Sequence, residues 1–461
     1  MLRCGLLGRK LGHSYSPAIH AMLGDYRYDL IELPPQALED FVKSDRWDGL
    51  NVTIPYKKDV VPFCDELSPL ARKLGSVNTL WRRDGKIYGD NTDAYGFEAM
   101  VKRLGVSCAG KKALVLGSGG ASVTAQAVLQ ALGAQVVVIS RRGENNYENL
   151  DRHADAAILA NTTPVGMYPN AGQAPLDIAR LPRLEAVLDV VYNPSRTRLI
   201  LDAEAAGIPC ESGLWMLVAQ AVRASEIFTG RDIPLETLER VYTAIRQQME
   251  NIVLIGMPGA GKTTVGKKIA QKLNREFVDC DEKFVQEAGM SIPAYFQTYG
   301  EGAFRDLETK VLAQVTQRSG LVIATGGGCV VRPENRDLLR QNGTVVWLRR
   351  ALADLPIDGR PVSQSQGIEA IYQARKPLYE AFSDFAVDNT TPEEAAQAIV
   401  GAATSRPQFP AHRRAACPHA AAGTRPLRGR VDRRSTPTRC AQNPHRTRRG
   451  GYQPPAIPTA S

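Results

Sequence analysis

Apolar runs of strand length recur along the first 400 residues and alternate with longer stretches of helical period. KALVLG at 112–117 leads into a helical stretch reaching Leu132, and QVVVIS follows at 135–140. NIVLIG, from Asn251, opens a second series ahead of TTVGKKIAQKL. Strands alternating with helices are the pattern of parallel α/β sheets. LETLERVYTAIRQQMEN reads as a helix running into a strand with no Pro- or Gly-rich spacer, which puts the boundary between the two series at 246–250.

Beyond about Pro407 this patterning stops. Nine Pro fall in the last 55 residues, and from Arg406 onward twelve Arg stand against one acid, Asp432, with no Lys. Such a segment has too little apolar surface to order itself, so a disordered 406–461 tail is expected. The tail also accounts for the whole chain's +9 and leaves the body nearly neutral. A basic nucleic-acid-binding body is thereby excluded, and the tail alone keeps non-specific phosphate binding open. Its abrupt loss of pattern also fits an out-of-frame or read-through extension.

The 461 residues suit two to four domains of about 100–200 residues each. The opening MLRCGLLGRKLGHSYSP lacks the apolar run of about 7–15 residues that a secretory leader needs, and no apolar stretch reaches about 20 residues. A soluble, cytoplasmic protein is expected. Eight Cys show no C-x-x-C pair and no His at metal-ligand spacing, which reads as reduced thiols in the core.

After ALVLG come Gly117, Ser118, Gly119, Gly120, Ala121 and Ser122, then an Ala-rich helical stretch. A dinucleotide site needs one glycine for the tight turn, another for close backbone approach to a pyrophosphate, and a small residue where helix meets strand. Ser122 stands where the third Gly or Ala is usual. The next strand ends at Ser140, followed by Arg141 and Arg142 in place of the acidic residue that holds an unphosphorylated ribose. Two guanidiniums there favour a 2′-phosphate, hence NADP(H), against the plainer role of capping a surface strand.

Gly256, Met257, Pro258, Gly259, Ala260, Gly261, Lys262 and Thr263 fit G-x-x-x-x-G-K-[ST] between a strand and a helix that continues through Thr264. Backbone N–H groups of such a loop cradle phosphates, the lysine reaches them, and the Thr263 hydroxyl can ligate Mg²⁺, so ATP is the expected ligand. No later apolar run ends in a clear Walker-B aspartate, since LVIATGGG runs into glycines. That argues against a GTPase or motor ATPase.

The first half also carries HSYSPAIHAML, GLNVTIPYKKDV, GSVNTL, GDNTDAYGF, NTTPVGMYP, DVVYNPSRTRLI and GLWMLVAQA. In this order they resemble shikimate dehydrogenases over about residues 1–245. The resemblance implies that Ser14 and Ser16 bind the substrate carboxylate, that Thr53, Asn78, Asp93 and Gln220 hold its hydroxyls, and that Lys57 and Asp93 form the catalytic pair. It also places Tyr192 and Gly213 near the nicotinamide and substrate. Taken alone, Lys57 is as ordinary as Lys58 beside it, and N-T-D before a helix makes Asp93 equally a helix N-cap residue. Trp215, where relatives often carry Gly, is expected to reshape the wall near the nicotinamide, and quinate is an additional candidate substrate.

FVDCDEKF, GEGAFRDLE, ATGGGCV, DGRPVS and RKPLYEAFSDFAV resemble shikimate kinases over about residues 250–402. By that resemblance Asp281 binds shikimate hydroxyls and assists deprotonation, Asp279 helps hold Mg²⁺, and Gly326, Gly327 and Gly328 shape the acceptor site. Arg305 and Arg375 clamp the carboxylate, and Arg360 lies in a mobile lid that is shorter than in many relatives. The implied architecture is α/β throughout. Residues 1–248 form a shikimate dehydrogenase, with a substrate lobe about 1–100, a Rossmann NADP lobe about 101–220 and C-terminal helices returning to the substrate lobe. A P-loop kinase with a parallel sheet follows at 249–405. The expected partners are small molecules, 3-dehydroshikimate and shikimate, with no specific nucleic acid and no membrane. A rival arrangement keeps one half only as a scaffold.

Overall fold

The computed structural model describes residues 1–12, 14–355 and 367–405. The expectations for Arg360 with its lid and for the tail lie outside the described residues. Three sheets follow one another along the chain.

The first contains β1 (Arg3–Gly8), β2 (Arg27–Glu32), β3 (Gly49–Val52), β4 (Glu66–Leu67), β5 (Thr79–Arg83) and β6 (Lys86–Asp90), in the order β2-β1-β3-β5-β6-β4. β1 pairs in parallel with β2 and β3, but β5 lies antiparallel to both β3 and β6. The sheet is therefore mixed, where strand–helix alternation had implied a parallel one. The reason is local: Asp84 and Gly85, with φ of 52° and 75°, close a two-residue hairpin between β5 and β6. Asp-Gly suits that turn because both central residues take positive φ.

The second sheet contains β7 (Lys112–Leu116), β8 (Gln135–Ile139), β9 (Ile158–Asn161), β10 (Ala186–Asp189) and β11 (Cys210–Ser212), all parallel, in the order β11-β10-β9-β7-β8. β7 is covered on both faces. Ala113 and Val115 enter one core, with Phe97, Leu129, Val218 and Tyr242, while Leu114 and Leu116 enter another, with Leu199 and Ile200. This is why the run reads as continuously apolar. Order reverses beside β7, so its C-terminal end and that of β9 border the crevice where parallel sheets bind ligands.

The third sheet contains β12 (Asn251–Ile255), β13 (Phe277–Asp279), β14 (Val322–Ala324), β15 (Gly343–Arg349) and β16 (Phe385–Asp388), all parallel, in the order β13-β14-β12-β15-β16. β12 again splits its side chains between two cores, Val253 and Ile255 against Ile252 and Leu254. Helix Leu235–Met249 meets β12 after one intervening residue. Asn251 pins the junction: its N–H donates to the Asn342 carbonyl at 2.8 Å and its amide oxygen accepts from Leu321 N–H at 2.8 Å.

Two helices tie the first two sheets together. Thr92–Leu104 follows β6, and Gly213–Thr229 follows β11. They approach closely at Gly96, where a Cβ would lie 2.6 Å from the Met216 carbonyl oxygen. Among the described residues no helix is long and apolar enough to cross a membrane. The six described cysteines are free thiols, all buried except Cys64, which is partly buried.

Candidate active sites

The C-terminal ends of β3 and β6 and the start of helix Thr92–Leu104 converge on Lys57. Its ammonium donates to one Asp93 carboxylate oxygen, and the Asn78 amide donates to the other at 2.9 Å. The side chains of Lys57 and Asp93 keep 28% and 20% of their surface in contact with solvent, whereas Lys58 is exposed. Asn78 is buried and its amide oxygen accepts from the Thr92 N–H at 2.7 Å. The helix is thus capped from a distance by Asn78. Asp93 lies within the first turn, its carboxylate turned to Lys57 and Asn78, so the N-cap alternative does not hold. Gln220 reaches the same place from the second helix, with the Thr92 hydroxyl 3.5 Å from its amide oxygen. Ser14 precedes helix Ser16–Ala21 and Ser16 begins it, the Ser16 N–H donating to the Ser14 hydroxyl at 3.2 Å. Thr53 is tied to β1 through its N–H and the Leu7 carbonyl at 2.9 Å.

The glycine turn follows β7 directly. Gly117 has φ of 107° and packs against Thr162, beyond the end of β9, and helix Gly120–Ala131 starts from it. Side chains built on Gly119 or Gly120 would meet nothing within 4 Å, so open space lies over the helix N-terminus, where an anion is favoured. Ser122 is buried and donates its hydroxyl to the Gly117 carbonyl at 2.7 Å, which explains how a polar residue is tolerated where Gly or Ala is usual. Ser118 and Ala121 complete the exposed rim, and Arg141 and Arg142 are exposed just past β8. Gly213 has a different setting. A Cβ there would lie 2.0 Å from the Val190 carbonyl oxygen, and its N–H donates to the Val191 carbonyl at 3.1 Å, so it seats the loop that carries Tyr192. Burial, and next the neighbouring Tyr15, push the Tyr192 phenol up from its ordinary pKa.

In the third sheet the phosphate loop follows β12 and the glycine run Gly326–Gly328 follows the adjacent β14. Together they border a cavity of about 1050 Å³. Gly256, Gly259 and Gly261 take φ of 144°, 83° and 93°, which only glycine adopts without strain. The Lys262 ammonium donates to the Gly256 and Met257 carbonyls at 2.9 and 3.1 Å, holding it over the loop. The Thr263 hydroxyl donates to Asp279 at 2.7 Å, and Asp279 also caps helix Cys280–Ala288 by accepting from the Asp281 N–H at 3.0 Å. β13 therefore does end in an aspartate facing the phosphate loop, contrary to the expectation from LVIATGGG. Three residues are too short to register as an apolar run.

The acceptor side of the cavity is built on missing side chains. A Cβ on Gly327 would strike Pro258 of the phosphate loop at 2.6 Å, one on Gly326 would fall between the Glu308 and Asp281 carboxylates at 2.8 and 2.9 Å, and one on Gly328 would strike the Arg305 guanidinium at 2.3 Å. Helix Ile292–Thr316 breaks at Gly300, φ 80°, and its second part carries Arg305 and Glu308, paired at 2.7 Å and both buried. Burial pushes the Glu308 carboxyl up while Arg305 opposes it. Arg375 donates to the Gly327 carbonyl at 3.2 Å, beside the Tyr379 hydroxyl, which donates to the same oxygen at 2.6 Å.

The family model described as Shikimate dehydrogenase substrate binding domain matches residues 6–80, and the one described as Shikimate 5'-dehydrogenase C-terminal domain matches 213–241. A protein named Shikimate dehydrogenase (NADP(+)) from Clostridium perfringens strain SM101 is 36% identical over 264 residues, covering 52% of this chain and 97% of its own length. A protein of the same name from Methanopyrus kandleri is 38% identical, covering 51% of this chain and 92% of its own length.

The chain belongs to the shikimate dehydrogenase family.

A crystal structure of a chorismate mutase/shikimate 5-dehydrogenase fusion protein from Clostridium acetobutylicum is 33% identical, with a TM-score of 0.51, covering 53% of this chain and 97% of that one. The model described as Shikimate kinase matches residues 258–404, so a shikimate kinase domain follows the dehydrogenase half in the same chain.

In the dehydrogenase half, Trp215 departs from expectation. Its indole is buried against Tyr242 at 5.1 Å and beneath the Arg103 guanidinium at 3.8 Å. Trp215 and Gln220 are five residues apart on one helix, about 140° around its axis, so the indole faces the core and not the cleft. Thr92 in the dehydrogenase site, and Glu308 and Arg350 in the kinase cavity, were not singled out from sequence. Glu308 had a signal, since it lies three residues after Arg305 on one helical face.

Proposed function

We propose that the chain reduces 3-dehydroshikimate to shikimate with NADPH and then phosphorylates the 3-hydroxyl of shikimate with ATP. The observation that carries this reading is the kinase cavity. Its phosphate loop touches an acceptor wall bearing Asp281, Arg305 and Arg375, a setting for a carboxylate-bearing polyol. Such a compound is what a site with the Lys57–Asp93 pair would release.

In the first site Ser14 and Ser16 bind the substrate carboxylate, while Thr53, Asn78, Asp93 and Gln220 hold the ring hydroxyls. Reduction places negative charge on the 3-oxygen, and Lys57 hydrogen-bonds that oxygen and delivers the proton to it. Asp93 keeps the ammonium aimed. Gly117–Ala121 would hold the pyrophosphate of NADPH and Arg141 and Arg142 its 2′-phosphate, and the bound cofactor would supply the hydride for the reduction. Tyr192 closes the substrate side, and Gly213 seats the loop beneath it.

In the second site Arg305 and Arg375 take the carboxylate, and Glu308 keeps the Arg305 guanidinium fixed against Gly328. Asp281 accepts the proton of the 3-hydroxyl as its oxygen attacks the γ-phosphorus and the bond to ADP breaks. The loop from Gly256 to Thr264 cradles the phosphates, with Lys262 neutralising charge on them. Thr263 and Asp279 suit a Mg²⁺ ion that arrives with the nucleotide, since two oxygen donors are enough when phosphates and water complete the shell. Arg360, outside the described residues, is proposed to neutralise charge on the transferring phosphoryl group.

We place these reactions in the cytoplasm, whose reducing conditions suit the free thiols, and infer no nucleic-acid or membrane partner. The two activities are tested by assaying the purified chain separately, with 3-dehydroshikimate and NADPH, and with shikimate and MgATP. Turnover in both supports the reading; absence of either activity with these substrates contradicts it.

A further inference from the structure

The two halves meet at the loop that carries Tyr192. Within the dehydrogenase half, the buried Asp189 carboxylate grips both ends of this loop, accepting from the Val191 N–H at 3.1 Å and the Thr197 hydroxyl at 2.6 Å. The outer side of the loop is held by the kinase half. The Gln341 carbonyl accepts from the Arg196 N–H at 2.8 Å and from the Ser195 hydroxyl at 3.2 Å. The Gln341 side chain donates to the Ala171 carbonyl at 3.0 Å, and Asp337, one turn earlier, pairs with Arg198 at 2.7 Å. Ser195, Arg196 and Gln341 are all buried.

We propose that helix Glu334–Gln341 of the kinase half is a positioning element of the dehydrogenase site, fixing the Tyr192 loop through Gln341 and Asp337. The proposal rests on the function proposed above for Tyr192. A buried backbone N–H without a partner is costly, so the conformation seen at Arg196 depends on an acceptor that the dehydrogenase half does not supply. A displacement of about 1 Å at a group beside the reacting atoms is enough to slow turnover severely. The helix begins shortly after the acceptor glycines, and the Asn335 amide donates to the Cys329 carbonyl at 2.8 Å, so its base is fixed in the kinase fold while its tip holds the dehydrogenase loop.

The test uses the full-length chain with Ser195→Ala and Asp337→Ala combined, because a substitution at Gln341 would leave its main-chain carbonyl in place, and Asp337→Ala alone as the milder variant. Dehydrogenase kcat should fall about three- to tenfold in the double variant, the range expected for losing hydrogen bonds worth about 0.5–1.5 kcal/mol, and by less in the single variant. KM for 3-dehydroshikimate and kinase kcat/KM should stay within about twofold, which also reports an intact fold. In a Tyr192→Phe background the same pair of substitutions should have little further effect, since residues acting through one another are not additive. Amide hydrogen exchange across 190–197 reads the loop independently of catalysis, and should quicken in both variants. Unchanged exchange overturns the proposal even if the parent shows no dehydrogenase turnover, which would instead contradict the functional reading. Unchanged dehydrogenase kcat in the double variant, or an equal loss in the Tyr192→Phe background, overturns it as well.

Discussion

The Lys57 ammonium and the Asp93 carboxylate meet across 36 residues of sequence, at a cleft that leaves both partly open to solvent. An exposed pair of this kind contributes little to stability. In the proposed reduction it holds an ammonium where an oxyanion would form.

Lys57→Ala should therefore lower dehydrogenase kcat by about 10²–10⁴, the usual contribution of a positioned general acid, with little change in thermal stability and none in kinase turnover. Steady-state kinetics of both half-reactions, beside a melting curve, check this. A loss confined to KM would assign Lys57 to binding alone.

Arg141 and Arg142 lie exposed beyond β8. Replacing both with Ser should raise KM for NADPH by at least about tenfold, since charge-assisted bonds to a phosphate contribute about 1.5–3 kcal/mol, and leave KM for NADH nearly unchanged. Equal effects on both cofactors would mean that the arginines only support the strand end.

Glu308 and Arg305 form a buried pair against Gly328. Glu308→Gln removes the charge that holds the guanidinium and should raise KM for shikimate about tenfold, with a smaller change in KM for ATP. The dehydrogenase reaction, in the other half of the chain, should be unaffected.

Asp189 is fully buried, and desolvation raises its carboxyl to about 7 despite hydrogen bonds from Thr197, Val191 and Asn161. Burial likewise raises Glu211 to about 7, against the opposing pull of Arg103. A carboxyl raised on folding binds more protons in the folded than in the unfolded chain between about pH 4 and 7, so stability declines as pH rises through that window and levels off above it. Asp189→Asn carries no such titration. In urea unfolding from pH 5 to pH 8 the variant should gain on the parent as pH rises; a difference that stays constant, or moves the other way, contradicts the raised value.

Local patterns revealed much of this molecule, and distant pairings little. The phosphate loop and the glycine turn are contiguous motifs whose shape is set by their own glycines, and β7 and β12 show in the sequence as apolar runs because both faces are buried. The β5–β6 hairpin has only the local Asp84-Gly85 pair to mark it, which the strand–helix rhythm of the whole body does not reveal. Trp215 was misplaced because its motif marks the helix and not which face the indole takes. Asn78 as the cap of a helix fourteen residues later, and Gln341 as the acceptor for Arg196, depend on tertiary contacts for which no spacing rule exists.

The central claim is that one chain runs two consecutive reactions at separate sites. It is tested most directly by supplying the purified chain with 3-dehydroshikimate, NADPH and MgATP and following NADPH loss and ADP release together, in the parent and in Lys57→Ala and Lys262→Ala. The account predicts both signals in the parent. Lys57→Ala should lose both, with ADP release restored by added shikimate, and Lys262→Ala should lose ADP release alone. A parent that consumes NADPH without releasing ADP, or fails to release ADP even when given shikimate, would contradict it.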